Sequence, residues 1–310
     1  MTTATATAEH APAGPSLIAR FLRSKVVAVT VVIAAIIVIW YIAAIFMNAQ
    51  WQREVFERAD VTPTTIEFIE ATWAQERPVL PAPHQVGAEL YKTIFQTAPT
   101  SKRSLLFHGW VTLSSTLLGF LMGTFLGICL ATAIVHVASL DKSLMPWVVA
   151  SQTIPILAIA PMVIVVLASI GLTGLLPKAI ISTYLSFFPV TVGMVKGLRS
   201  PDLINLDLMR TYSASRAQTF WKLRWPSSVP YLFVSMRVAI AASLVGAIVG
   251  ELPTGATAGL GARLLTGSYY GQTVQIWSAL ITAAVLAAVL VGLVGLVSRF
   301  VMRRMGARPT

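Results

Sequence analysis

Ser200-Pro-Asp-Leu-Ile-Asn-Leu-Asp-Leu-Met-Arg-Thr-Tyr-Ser-Ala-Ser-Arg-Ala-Gln-Thr-Phe-Trp-Lys-Leu-Arg-Trp-Pro-Ser-Ser-Val-Pro230 is a polar, basic loop between two apolar blocks, and it reads as two short helices. Ser200 can cap the first, Pro201 is preset for a first helical turn and Asp202 suits the positive helix end. Leu203, Leu206, Met209 and Tyr212 then stack along one side. Ser215 with Gln218 three residues on forms a capping box for the second helix, which Pro226 is expected to end. Met209, Tyr212, Phe220 and Leu223 make an apolar ridge in a basic frame, and such a ridge needs a cover. A groove on a partner protein is one cover; the chain's own helix ends or lipid headgroups are the other, and the pattern leaves both open.

Six apolar blocks surround this loop, at residues 26–47, 105–137, 146–170, 179–194, 231–249 and 277–301. The composition agrees: 56% hydrophobic residues and 11% charged leave too little polar surface to solvate a water-soluble fold of 310 residues. The fold class expected is therefore an all-α integral membrane protein with six transmembrane helices. Its segments are a disordered cytoplasmic tail (1–25), transmembrane helix 1 (26–48), a periplasmic segment with short helices (49–104), a membrane core (105–305) carrying the cytoplasmic loop 196–230, and a cytoplasmic tail (306–310). A cleaved signal peptide is the rival reading of the first block, but that block is longer than an h-region and no clear small-residue cleavage site follows it. In the outer segment Thr62-Pro63 reads as a helix start, with Ile66, Ile69 and Trp73 on one face. Gly119, Gly123 and Gly127 recur at every fourth residue of the second block, a stripe for close helix approach.

Charge sets the orientation. With the amino terminus in the cytoplasm, the inner regions hold 15 Lys and Arg against 4 Asp and Glu, while the outer regions hold 8 of each. The whole net charge of +11 then falls on the cytoplasmic face, so the basicity is a topology signal and not a nucleic-acid footprint. The expected location is a bacterial cytoplasmic membrane, crossed several times, with both termini inside.

Chemistry is sparse. No G-x-x-x-x-G-K-[ST] phosphate cradle occurs, so nucleotide hydrolysis needs another chain. Cys129 is the only cysteine, and His10, His84, His108 and His136 are scattered without metal-ligand spacing. No catalytic site is expected, and no metal site.

The loop resembles the EAA loop of binding-protein-dependent ABC importer permeases through Asp207-x-Met-Arg-x-Tyr-Ser-Ala-Ser-x-x-Gln-x-Phe-x-Lys-x-x-x-Pro-x-x-x-Pro230. Asp207 stands for the usual Glu, Met209 for Ala and Ser213 for Gly. The resemblance runs from about residue 80 to 305, through Leu80-Pro-Ala-Pro83, Thr112-Leu-Ser-Ser-Thr-Leu-Leu-Gly119, Ile154-Pro-Ile-Leu-Ala-Ile-Ala-Pro161, and Glu251 with Gly259-Leu-Gly261. It is similar to the nitrate/taurine branch, whose members import nitrate, sulfonates, bicarbonate or pyrimidine precursors; that branch's Trp-Phe-Gly before Lys178 is missing here. The resemblance implies that Asp207, Met209, Arg210, Tyr212, Ser213, Ala214, Ser215, Gln218, Phe220, Lys222 and Pro226 dock on an ATPase subunit, which carries the ATP and Mg; this chain binds no cofactor itself. It also implies a second permease copy or paralogue, a periplasmic or lipid-anchored solute-binding protein, surrounding lipid and no nucleic acid.

Polar groups inside spans are costly, which makes Gln152, Thr153, Thr183, Tyr184 and Ser186 candidates for a substrate path, against the alternative of helix-packing hydrogen bonds. Pro155, Pro161 and Pro189 break the ladder in the same helices. Glu251 reads as a gate, or more plainly as a buried partner of Arg237 or Arg263. Residues 252–270 suit a re-entrant or surface segment at the outer mouth. A stand-alone secondary transporter or channel is the second reading; it usually needs mid-membrane carboxylates, and none of the 12 acidic residues lies there.

Overall fold

Long runs of Leu, Ile, Val and Ala can satisfy their backbone groups in lipid only as helices. The computed structural model describes residues 25–253 and 257–306, and every regular element among them is helical. The tail read as disordered, residues 1–24, lies outside the described residues. Among the described residues five helices are long and apolar enough to cross a membrane, and a helix pair bent by 101° offers one further crossing. The chain divides into two compact units at Gln85 and Val86.

In the first unit α1 (Lys25–Arg58) runs on past the apolar block, and α2 (Thr65–Trp73) follows a short turn. Asn48, where the span was expected to stop, is fully buried. Its amide donates to the carbonyls of Thr72 (3.1 Å) and Leu80 (2.9 Å) and accepts from the N–H of Val79 (2.9 Å) and Leu80 (3.2 Å). A saturated amide is tolerated inside a helix-packed interior, so α1 does not break. Trp40 Nε1 donates to Pro81 O at 2.9 Å, so residues 72–81 fold back along α1. The cap of α2 is Thr64, in a capping box with Glu67, and not Thr62-Pro63. The Thr64 backbone N–H, with its hydroxyl second, holds the Glu67 carboxyl below its ordinary value.

The unit boundary falls in the first turn of α3 (Pro83–Tyr91). The second unit is built on α4 (Leu105–His136), α7 (Leu175–Leu198) and α10 (Trp225–Glu251). The Gly119, Gly123 and Gly127 stripe does face another helix. A methyl on Gly119 would collide with Ser182, one on Gly123 with Ser186, and one on Gly127 would lie 2.8 Å from Val190 Cβ. The numbers rise together, so α4 and α7 are parallel. Against α7, α10 is antiparallel: Gly246 meets Ser182 and Gly250 meets Lys178. Ala131, Ile134, Val190, Met194, Leu198, Ala239 and Ile240 fill the core between the three.

Parallel α4 and α7 oblige the chain between them to return across the membrane. It does so through α5 (Ala138–Ala150) and α6 (Ile156–Ser169), joined by a tight turn, Ser151–Thr153. The expected straight span at 146–170 is therefore a broken one. Pro155 stands at the break and supplies no N–H, whereas Pro161 and Pro189 lie inside continuous helices. The sixth crossing is α12 (Thr273–Arg304), preceded by the shorter α11 (Leu260–Tyr269).

Gly123→Leu is expected to destabilise the chain by about 1–3 kcal/mol or more through overpacking against α7. Gly109→Ala, at a helix position with open space around it, should change little. Thermal unfolding of the two variants in one detergent checks this.

Candidate functional site

Loop 199–230 lies at the end of the second unit where α4 and α12 finish. Its first helix, α8 (Leu203–Thr211), starts after Asp202, whose carbonyl accepts from the Leu206 N–H at 3.2 Å while its side chain makes no capping bond. Ser200 instead donates to the Gly197 carbonyl at 2.8 Å and closes α7, which corrects the expected cap. At the far end of α8, Ser213 sits at φ +51°. Its N–H bonds Arg210 O (2.8 Å), and the Ala214 N–H bonds Met209 O (2.9 Å), the paired closure of a Schellman turn. Serine holds a left-handed position that glycine adopts freely, at a cost of about 1–2 kcal/mol.

Ser215 and Gln218 form the expected capping box at the start of α9 (Arg216–Thr219). Pro226 does not end this helix. A π-helical turn (Phe220–Arg224) carries α9 straight into α10, and residues 216–251 are one helical rod. The Trp225 N–H reaches back five residues to Phe220 O, so the ladder is already re-registered where Pro226 has no N–H to offer.

The extra residue in that turn also rotates the faces. Of the four ridge residues, Tyr212 is exposed (77%), while Met209, Phe220 and Leu223 are half-buried. Phe220 packs edge-on to His136 and Trp221 at 5.1 and 5.0 Å between centroids. Leu203 (78%), Ile204 (81%), Leu208 and Trp221 are the further exposed apolar side chains. Asp207 pairs with Arg210 at 2.9 Å; Ser215, Gln218 and Lys222 are exposed and Ala214 is half-buried.

Of the path candidates, three come together at the broken crossing. Gln152 and Thr153 are exposed in the turn between α5 and α6, and the Tyr184 hydroxyl, from the middle of α7, donates to the carbonyl of the adjoining Ser151. Thr183 and Ser186 turn away, both reaching the Gly119 carbonyl at 3.2 Å in the α4–α7 seam.

Glu251 stands apart, at the opposite end of the rod from the loop. Its carboxylate is fully buried; it accepts from the Thr112 hydroxyl (2.9 Å) and the Gly261 N–H (2.8 Å), with Lys178 Nζ at 4.0 Å. Lys178, and not Arg237 or Arg263, is thus its charged neighbour. The Leu260 N–H bonds Thr112 Oγ1 (2.8 Å), and the Gly259 N–H bonds His108 Nδ1 (3.0 Å). His108 Nε2 then donates to Lys102 O at 2.8 Å, which fixes its tautomer. Three consecutive N–H groups opening α11 are therefore capped by side chains of α4 and α10. Gly259, at φ +124°, lies against the carboxylate, where any Cβ would overlap it.

The family model described as "Binding-protein-dependent transport system inner membrane component" matches residues 123–308. The chain belongs to that family. A probable ABC transporter permease protein of Haemophilus influenzae is 30% identical over 203 residues, 66% of this chain and 78% of that one. A formylaminopyrimidine transport permease of Halalkalibacterium halodurans is 31% identical over 183 residues (59% and 68%), and a nitrate import permease of Synechocystis 26% identical over 228 (72% and 78%). An inward-facing structure of a methionine ABC transporter superposes with a TM-score of 0.51 at 20% identity, covering 66% of this chain and 94% of that one, a likeness of fold.

In this permease the sequence reading missed the capping role of His108 and Thr112 and the place of Lys178 beside Glu251. The i, i+4 spacing of His108 and Thr112 on α4 was the available signal, but their partners lie about 140–150 positions away. Glu251→Ala should cost about 3–5 kcal/mol, because it strips the acceptor from a buried N–H and leaves Lys178 without a counter-charge. Glu251→Gln keeps the acceptor and should cost less; melting temperatures of the two variants order the effects.

Proposed function

We propose that this permease is one half of the solute path of an ATP-driven importer, with both termini in the cytoplasm and loop 196–230 docked on a separate ATPase subunit. A second copy or paralogue completes the path, and a solute-binding protein delivers solute on the other side. The observation that carries the reading is the unbroken rod from Arg216 to Glu251, about 54 Å long at 1.5 Å per residue. One end bears the exposed loop surface, and the other holds the cap of α11. A push on the loop reaches the outer clasp without a flexible joint, which is what alternating access asks of a chain that has no motor of its own.

Exposed Leu203, Ile204, Leu208 and Tyr212 supply the apolar anchors for a groove on the ATPase, and Arg210, Arg216 and Lys222 frame them. The exposed turn at Gln152 and Thr153, with Tyr184 beside it, is the central stretch of the path: a broken helix leaves backbone groups free to meet a passing solute. The relatives' named cargoes support a small solute, either an anion or a pyrimidine-like heterocycle.

Tyr212→Asp and Leu208→Asp are surface changes and should lower solute-stimulated ATPase activity at least tenfold, and abolish co-purification of the ATPase, with membrane levels unchanged. Phe220→Asp would also disturb the fold, so the surface pair is the sharper test. Ser213→Gly should retain full activity and Ser213→Val lose it, because only the first relieves the left-handed turn. Wild-type activity in both aspartate variants would overturn the docking.

Orientation is tested separately. With Cys129 replaced by Ala, a cysteine at Gln218 should react with a membrane-impermeant maleimide only after the cytoplasmic side is opened, and one at Tyr269 should react from outside. The opposite pattern would invert the topology.

A further inference from the structure

Between its first turn and Glu251, α10 carries a single charged side chain, Arg237, and that residue is exposed. It stands about 18 Å along the helix from Trp225, at 1.5 Å per residue. Its guanidinium lies on α12: Nε and Nη2 are 3.8 Å, and Cζ 3.9 Å, from the point where a Cβ on Gly295 would stand. Three nearly equal distances set the group broadside to that point, so the missing side chain of Gly295 is the notch it occupies. Around the notch Leu293, Leu296, Val297 and Phe300 are each more than half exposed, an open apolar face of the kind turned to lipid. Among the described residues Arg237 makes no hydrogen bond and no ion pair, so the five N–H donors of its guanidinium are unmet. A cation within a span needs an anion or water in reach. Its Cα–Cβ bond leans toward the start of α10, the loop end. Arg299, also exposed, follows Gly295 by one turn on the same face of α12, about 6 Å nearer that end, and Arg303 and Arg304 close the helix.

We propose that Arg237, Gly295 and Arg299 form a site for one anionic phospholipid, its phosphate on the two guanidinium groups and its acyl chains along the exposed apolar face of α12. Charge decides among the occupants. A second copy of this chain brings no carboxylate to that level, since none of the 12 acidic residues lies in the loop-side half of α4, α7, α10 or α12. A zwitterionic lipid carries its own cation toward Arg299, Arg303 and Arg304, whereas an anionic one meets only opposite charge there. Bidentate pairing of a planar guanidinium with phosphate oxygens then takes up the donors that the protein leaves unmet. A phosphate so held bridges α10 and α12, and ties the rod that enters the loop to the last crossing.

The test is native mass spectrometry of the purified full-length permease, with any subunits that accompany it, titrated with dioleoylphosphatidylglycerol. Dioleoylphosphatidylcholine and glycerol 1-phosphate serve as comparisons. One phosphatidylglycerol per chain should be retained about fivefold or more tightly than phosphatidylcholine, and glycerol 1-phosphate should not displace it. Arg237→Gln should weaken it about fivefold, and so should Gly295→Leu, which keeps every charge but fills the notch. Arg299→Gln is a surface change and should weaken it about threefold, which decides the matter if Arg237→Gln fails to fold. Lys142→Gln removes an exposed charge from the same end of the unit, where neighbouring Asp141 pairs with Arg199, and should leave binding within about twofold. Equal retention of phosphatidylcholine, displacement by glycerol 1-phosphate, an equal loss in Lys142→Gln, or wild-type binding in both Arg237→Gln and Arg299→Gln would each overturn the proposal. So would unchanged lipid binding in an Arg237→Gln variant that falls from paired to single chains, which would mark the face as a contact between copies.

Discussion

The structure depends on how closely α4 and α10 approach α7. In a bilayer, lipid tails are as apolar as leucine, so burial gives no drive for helices to associate; contact of backbone with backbone does. Gly119, Gly123 and Gly127 bring α4 against Ser182, Ser186 and Val190, and Gly246 and Gly250 bring α10 against Ser182 and Lys178. At that range the hydroxyls find carbonyls across the seam: Ser182 donates to Ser243 O at 2.6 Å, and Ser243 Oγ lies 2.8 Å from Thr116 O. The small residues are thus the condition for the polar bonds, and the polar bonds fix the register that the small residues allow.

A second demand of a dry interior is that helix ends be capped from within. The start of α11 carries N–H groups with no partner of its own, and His108, Thr112 and Glu251 meet them in sequence. A carboxylate at a helix start also sits where the peptide dipoles favour negative charge. The end remote from the loop is consequently held by side chains of two helices that both run to the loop end, and α10 is the one that enters the loop.

Much of this could be read in the residues. The apolar blocks marked the crossings, the every-fourth-residue glycines marked the α4–α7 seam, and Ser215 with Gln218 marked the start of α9, because each is a local or periodic signal. Ser213 stood out as a non-glycine at a turn, and it does occupy the left-handed position. What escaped is non-local or off-period. Pattern arguments assume 3.6 residues per turn, and the π turn at Phe220–Arg224 breaks that assumption: Phe220 and Leu223 are half-buried while Tyr212, before the turn, is exposed, and Pro226 does not stop the helix. Asn48 reads as a polar end to a span until Thr72, Val79 and Leu80 are brought to it. Glu251 was expected to find an arginine, but antiparallel packing of α10 on α7 brings up Lys178 instead. Charge bears on orientation alone and does not say which side chains line a path.

The two kinds of crossing differ in mechanical character. α10 is continuous from the loop to the clasp, since its one irregularity, a π turn, keeps every residue helical. The α5–α6 crossing is divided by a 101° bend, held to α7 through Tyr184 and Ser151. A rod carries displacement without absorbing it; a joint absorbs displacement by turning about a few backbone torsions. Both kinds pack on the same α7, so one unit sets a stiff element, running from the loop to the cap of α11, beside a bent one.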